Sequence, residues 1–104
     1  MQEKRAYTRK SMDVDVKCQA ESSAAFTGRS KDISLGGMFI FADHAPEFGD
    51  KLTLTLTLPG SPTSLELPAV VRWVDRGSAG FGVQFGLLGA RATHTIAWFM
   101  GHGA

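Results

Sequence analysis

Apolar and polar residues alternate along most of the chain, which is the period of a half-buried β-strand. The clearest case is residues 52–58, where leucines alternate with threonines. Alternation, or in one case a short apolar run, predicts further strands over residues 13–19, 26–34, 38–41, 65–74 and 80–85. Glycine, proline and small polar residues separate these segments and indicate turns. The pattern therefore predicts six short antiparallel strands.

The C-terminal segment has a different period. Apolar residues recur there every three or four positions, at Leu88, Ala92, Ile96 and Phe99, which is the spacing of one helical face. Small antiparallel sheets often close into a barrel, because closure removes exposed strand edges. We therefore expect a mainly β protein, a six-stranded antiparallel barrel with one C-terminal α-helix that covers an open end or packs on a partner.

The chain has 104 residues, which is enough for a single domain. We expect residues 1–11 to form a basic arm, 12–86 the barrel and 87–100 the helix. A formal net charge of +1 provides no overall attraction to DNA or to a membrane surface. Cationic residues nevertheless concentrate at the start of the chain, so an anion site should involve the N-terminus.

The only cysteine, Cys18, excludes an internal disulfide and a CxxC metal or redox site. A lone thiol fits a reducing compartment, and we expect a cytoplasmic protein. Residues 1–20 lack the apolar segment of a signal peptide, and no apolar run is long enough to span a membrane.

The sequence contains little that indicates a metal-binding site or a catalytic site. His44, His94 and His102 are scattered, and none has a second ligand at metal-site spacing. Cys18 shares the inward face of its strand with valines, which predicts a small core residue rather than a nucleophile. No motif for a nucleophilic serine, a zinc protease or a phosphate-binding loop occurs. We expect no enzyme, no metal and no cofactor.

Two arginines near the start form the first motif of interest. Arg5 and Arg9 are separated by four positions, which puts both guanidinium groups on one side of a helix or a strand. Such a pair can hold phosphate oxygens as a rigid fork, or pair with O6 and N7 of guanine. Taken alone, the segment is more simply a solvated basic arm.

A second motif follows at Asp32, Ser34 and Gly37. In an extended segment Asp32 and Ser34 share one face. The carboxylate can accept hydrogen bonds from guanine, the hydroxyl can bond a phosphate or a base, and the glycine allows a sharp turn and a close ligand. Taken alone, this motif is more simply a turn between two strands.

In combination, the two motifs resemble those of the PilZ domain family, which binds the bacterial second messenger cyclic di-GMP. The family has RxxxR near its start and, further along, Asp or Asn followed by Ser two positions later and Gly five positions later. The segments 70–74 and 80–85 also resemble the family's closing hairpin, so the resemblance covers nearly the whole chain. It implies a six-stranded barrel with a C-terminal helix, which agrees with the strand pattern.

The resemblance also implies roles for individual residues. Arg5 and Arg9 would hold guanine edges and phosphates, with Lys4 adding a phosphate or stacking contact. Asp32 and Ser34 would contact a guanine of the same ligand, and Gly37 would keep the turn open. Two further candidates are Arg72 and Trp73. Because neighbours in a strand point to opposite faces, we expect only one of these two to face the ligand.

We therefore predict a cyclic di-GMP receptor that changes conformation on binding and signals to a partner protein. Two alternatives stay open. A PilZ-like adaptor would bind protein without nucleotide, although the intact arginine motif argues against it. A small-barrel binder of single-stranded nucleic acid would need aromatic and cationic residues interleaved along a groove. Most aromatic residues here occupy predicted core positions and the net charge is small, so we expect no DNA binding.

Overall fold

The computed structural model describes residues 8–21, 23–43, 46–77 and 79–102. Within these ranges the chain forms six strands and one helix: β1 (Lys10–Ala20), β2 (Phe26–Ile33), β3 (Gly37–Phe41), β4 (Lys51–Thr57), β5 (Ser64–Asp75), β6 (Gly80–Phe85) and α1 (Ala90–His102). The strands close into an antiparallel barrel in the order β1-β2-β3-β6-β5-β4, with β4 pairing back to β1. The predicted fold class is confirmed.

The barrel interior is filled by the residues that alternation predicted to face inward. In β4 the leucines are buried while the threonines between them face outward. Val16 and Cys18 of β1 and Phe81 of β6 are completely buried. Burying these side chains provides most of the driving force for folding, at about 25 cal/mol per Å² of apolar surface.

Helix α1 packs on this core through the predicted face. Ile96 and Phe99 are buried, and Leu88 and Ala92 are partly buried against the same cluster. The helix begins at Ala90, later than the predicted residue 87, and continues to His102. The connection from β6 contains the exposed Leu87, the partly buried Leu88 and then Gly89, and because glycine has a low helix propensity the helix begins after it. In the described part of the chain, no helix has the length and apolar character needed to cross a bilayer.

Strand β1 begins inside the predicted arm of residues 1–11. Lys10 and Ser11 pair with Ile33 and Asp32 at the end of β2. Arg9, directly before β1, is therefore held beside the end of β2. The RxxxR motif thus ends at the barrel wall.

β-Bulges interrupt the strict alternation in β2 and β5. The β2–β3 register shifts between Ser30 and Ile33, and the β5–β6 register shifts between Val71 and Trp73. A bulge bends its strand and re-aims the side chains within it. Both bulges place consecutive residues away from the core, and both lie beside the candidate site.

Candidate functional site

A groove of about 390 Å³ opens on the outer wall of the barrel. Among the described residues it is lined by charged and aromatic side chains, namely Arg9, Lys31, Asp32, Phe39, Phe41 and Trp73. This volume falls within the range of small-molecule sites. The lining combines cations, a carboxylate and flat rings, which suits a planar heterocycle that carries negative charge.

Arg9 and Asp32, one from each predicted motif, meet in this groove. Arg9 Nε donates to Asp32 Oδ2 at 3.3 Å, and both side chains are partly buried. The other carboxylate oxygen, Oδ1, is buried and accepts no hydrogen bond from the described residues. A buried acceptor without a donor is unfavourable, so Oδ1 is a natural point for a ligand N–H group.

The bulge in β2 explains why Asp32 reaches the groove. Consecutive residues Lys31 and Asp32 both lie outside the core, between the buried Ser30 and Ile33. The Ser30 hydroxyl lies 2.9 Å from the carbonyl oxygen of Asp32 and 2.7 Å from that of Phe39, and it can donate to either. It therefore links the bulge to β3 and positions groove residues on both strands.

Three aromatic rings form another part of the lining. Phe39 and Phe41 of β3 meet edge to face, with ring centroids 5.0 Å apart. Phe39 also stacks against Trp73 of β5, at 6.4 Å and an interplanar angle of 29°. Phe41 is exposed, so it is not one of the core aromatics that the sequence pattern indicated, and Trp73, which was predicted as a ligand candidate, is exposed as well. A shared outward face for Phe39 and Phe41 was nevertheless readable from their spacing of two.

Ser34 and Gly37 form the turn that joins β2 to β3. The buried Ser34 Oγ accepts from the backbone N–H groups of Gly36 at 3.1 Å and Gly37 at 3.2 Å. Neither residue is part of the groove lining. Gly37 is needed for packing rather than for the turn, since a Cβ there would overlap the backbone oxygen of Val83 on β6. Ligand contact by Ser34 stays a prediction.

The adjacent residues Arg72 and Trp73 have different surroundings. The bulge in β5 leaves both side chains exposed, so strict alternation does not hold here. Only Trp73 lines the groove, whereas Arg72 Nε donates to Gln84 Oε1 at 2.9 Å. Lys4 and Arg5 lie outside the described residues, and their predicted contacts stay predictions.

Lys31, Phe39, Phe41 and the supporting Ser30 are site residues that sequence reasoning missed. Lys31 Nζ lies 3.5 Å from Asp13 Oδ1 and remains largely exposed at the rim. Lys31 lies within the β2 bulge and lines the same groove as Arg9, and no sequence motif marks that bulge. Within the described ranges, no group of three His, Cys, Asp or Glu side chains is arranged to hold a metal ion; His44 lies outside these ranges.

Comparison with protein families identifies the barrel. A family model described as the PilZ domain matches residues 3–100. The chain belongs to the PilZ domain family. The suspected resemblance is thereby confirmed across nearly its whole length. No curated protein sequence matches this PilZ domain.

Solved structures share the fold. The inhibitor of motility MotI/DgrA of Bacillus subtilis matches with a TM-score of 0.72 and 23% identity, over 93% of this chain and 49% of that one. The present chain thus spans about half of the MotI chain. The PilZ domain of CeSA from a cellulose-synthesizing bacterium matches with a TM-score of 0.70 and 16% identity, over 91% of this chain and 99% of that one. The PilZ domain of Escherichia coli YcgR, solved with c-di-GMP, matches with a TM-score of 0.71 and 15% identity, over 91% of this chain and 87% of that one.

Proposed function

We propose that this PilZ domain is a non-catalytic receptor for cyclic di-GMP that changes conformation on binding and signals to a partner protein. The convergence of Arg9 and Asp32 in one aromatic-lined groove is the observation that supports it. These two residues, one from each motif, lie 23 positions apart in sequence. Family membership and the similarity to YcgR, whose PilZ domain was solved with c-di-GMP, support the same ligand.

The groove offers a complementary group for each part of a cyclic dinucleotide. The Arg9 guanidinium binds a phosphate or the O6 and N7 edge of a guanine. Asp32 Oδ1, which accepts no hydrogen bond from the described residues, accepts from a guanine N–H group. The exposed Trp73 ring offers a surface on which a base can stack. Lys31 at the rim contributes positive charge near the phosphates.

Binding then acts through the N-terminal arm. The ligand ties Arg5 and Arg9 to the barrel wall that carries Asp32, with Lys4 adding a phosphate contact and Ser34 approaching the base. The surface offered to a downstream protein changes as a result. The alternative is a PilZ adaptor that binds protein without nucleotide.

Calorimetric titration with cyclic di-GMP tests this proposal, with excess GTP as a competitor. We expect saturable binding that GTP does not displace. Arg9→Ala should weaken binding about ten-fold or more, because a charged hydrogen bond or a bidentate base contact contributes about 1–3 kcal/mol. Arg91→Ala removes an exposed arginine of α1 outside the groove and should bind like the wild type. The absence of heat at several temperatures would contradict the proposal and favour the adaptor.

A further inference from the structure

Strand β6 lies between β3 and β5 and has a glycine at the position where these two neighbouring strands have aromatic residues. Gly82 of β6 lies opposite Phe39 of β3 on one side and opposite Trp73 of β5 on the other. Its neighbours along the strand, Phe81 and Val83, point into the core, so residue 82 faces the outer wall. The missing side chain leaves a gap in this wall, and the flanking rings fill it.

The Trp73 indole lies directly over that gap. A Cβ built on Gly82 would overlap ring atoms of Trp73, and these are the three atoms nearest to it. Gly80 has the same relation to the Phe39 ring. The indole is therefore supported by the backbone of β6 below it and by Phe39 beside it. Trp73 as a residue is still 50% exposed to solvent.

From this geometry we infer that Gly82 and Phe39 are positioning residues that hold Trp73 as a stacking platform for one planar base of the ligand. The inference rests on the proposed function and assigns a role to residues outside the two sequence motifs. A ring held flat has fewer conformations to lose when a base stacks on it, so preorganisation increases affinity. Without that support the indole would have to be ordered by the ligand itself.

Gly82→Ala is a specific test of this arrangement. The added methyl group first meets the Trp73 side chain, which can rotate away, so we expect the ring to move while the barrel keeps its fold. Gly89→Ala is a matched control, because a Cβ at Gly89 has no atom within 4 Å. A second variant, Phe39→Leu, removes the ring beside Trp73, and Phe39→Tyr retains it.

The experiment combines calorimetry with indole fluorescence, using cyclic di-GMP as the probe. All proteins carry Trp98→Phe, so that Trp73 is the only tryptophan present. Stacking of a base should quench Trp73 emission in this background. We expect Gly82→Ala and Phe39→Leu to weaken binding about ten-fold and to reduce the quench, as loss of one base–aromatic stack should do. Gly89→Ala and Phe39→Tyr should retain both the affinity and the quench.

The outcomes separate the inference from the proposed function. If the parent protein binds and quenches but Gly82→Ala binds equally well with an equal quench, the positioning role is wrong and the receptor proposal stands. If the parent protein shows neither heat nor quench, the receptor proposal is wrong. The stacking role of Trp73 is then wrong as well, because it requires cyclic di-GMP to bind. Far-ultraviolet circular dichroism and melting temperature confirm that each variant is folded. An unfolded Gly82→Ala protein would contradict the inference, because its methyl group would then disturb more than one ring.

Discussion

Hydrogen-bonding capacity differs between the individual side chains of the candidate site. Asp32 has one carboxylate oxygen paired with Arg9 and one buried oxygen that receives nothing from the described residues. The Ser34 hydroxyl, in contrast, already accepts from two backbone N–H groups of its turn. A group with unused capacity gains most from a ligand, because a buried unpaired acceptor is unfavourable. We therefore expect Asp32 to contribute more to affinity than Ser34.

Cys18 gives a prediction about stability and pH. Burial raises the pKa of its thiol from 9.0 to about 12. Above about pH 9 the unfolded chain has lost this proton while the folded protein keeps it, so stability decreases as the pH rises. This one group should lower the free energy of unfolding by up to about 1.4 kcal/mol per pH unit in that range.

Urea denaturation between about pH 8 and 11 measures this effect. Cys18→Ala lacks the thiol but keeps every other titrating group, so the difference between the two pH profiles isolates Cys18. We expect the variant to be less stable at neutral pH, because it leaves a cavity, and to lose less stability in base. Parallel profiles would show that the thiol titrates normally in the folded protein.

The strands, taken as elements, depend on departures from regular pairing. The bulge in β2 places Lys31 and Asp32 in the groove, and the bulge in β5 does the same for Trp73. A regular strand would turn one residue of each consecutive pair toward the core. The groove therefore depends on register shifts as much as on residue types.

Gly37 gives a prediction about the pairing of β3 with β6. A methyl group at this position would meet the backbone carbonyl of Val83, which cannot rotate away as a side chain can. We expect Gly37→Ala to destabilise the barrel by about 1–3 kcal/mol, as overpacking does in a filled structure. Thermal denaturation of Gly37→Ala, compared with that of the control variant Gly89→Ala, measures this loss of stability. Equal melting temperatures for the two variants would refute the packing role assigned to Gly37.

Across the whole molecule, the groove and helix α1 are joined by adjacent residues. Arg9 pairs with Asp32 in the groove, and the next residue, Lys10, places its ammonium group over the ring of Phe99 at 5.2 Å from the centroid. Phe99 is one of the residues through which α1 packs on the core. A ligand that binds Arg9 therefore acts on a segment that also contacts α1.

Hydrogen exchange measured with and without cyclic di-GMP tests this connection. We expect ligand to slow exchange at Arg5 and Arg9 and to alter exchange in α1. Lys10→Met removes the charge over Phe99 while keeping an unbranched side chain. It should keep most of the affinity, measured by calorimetry on the same sample, and reduce the response of α1. An α1 response of wild-type size in Lys10→Met would exclude Lys10 as the link.

The sequence by itself determined the architecture of the barrel. Alternation, and for β3 a short apolar run, located the six strands, because residues that face the core must be apolar, and the three-to-four-residue period located α1 for the same reason. It also singled out Arg9 and Asp32, because their chemistry is visible in the residue types and spacing. The match of the PilZ model to residues 3–100 confirms the family that these motifs indicated.

Only the tertiary structure decided which residues share the groove. The choice between Arg72 and Trp73 depends on the β5 bulge, and the presence of Lys31 depends on the β2 bulge. The role of Gly82 appears only when β6 lies between β3 and β5. Each of these is a contact between segments distant in sequence, and a bulge arises from the fit between paired strands rather than from the composition of one. Local periodicity therefore predicts which residues are buried, whereas strand pairing determines which exposed residues meet.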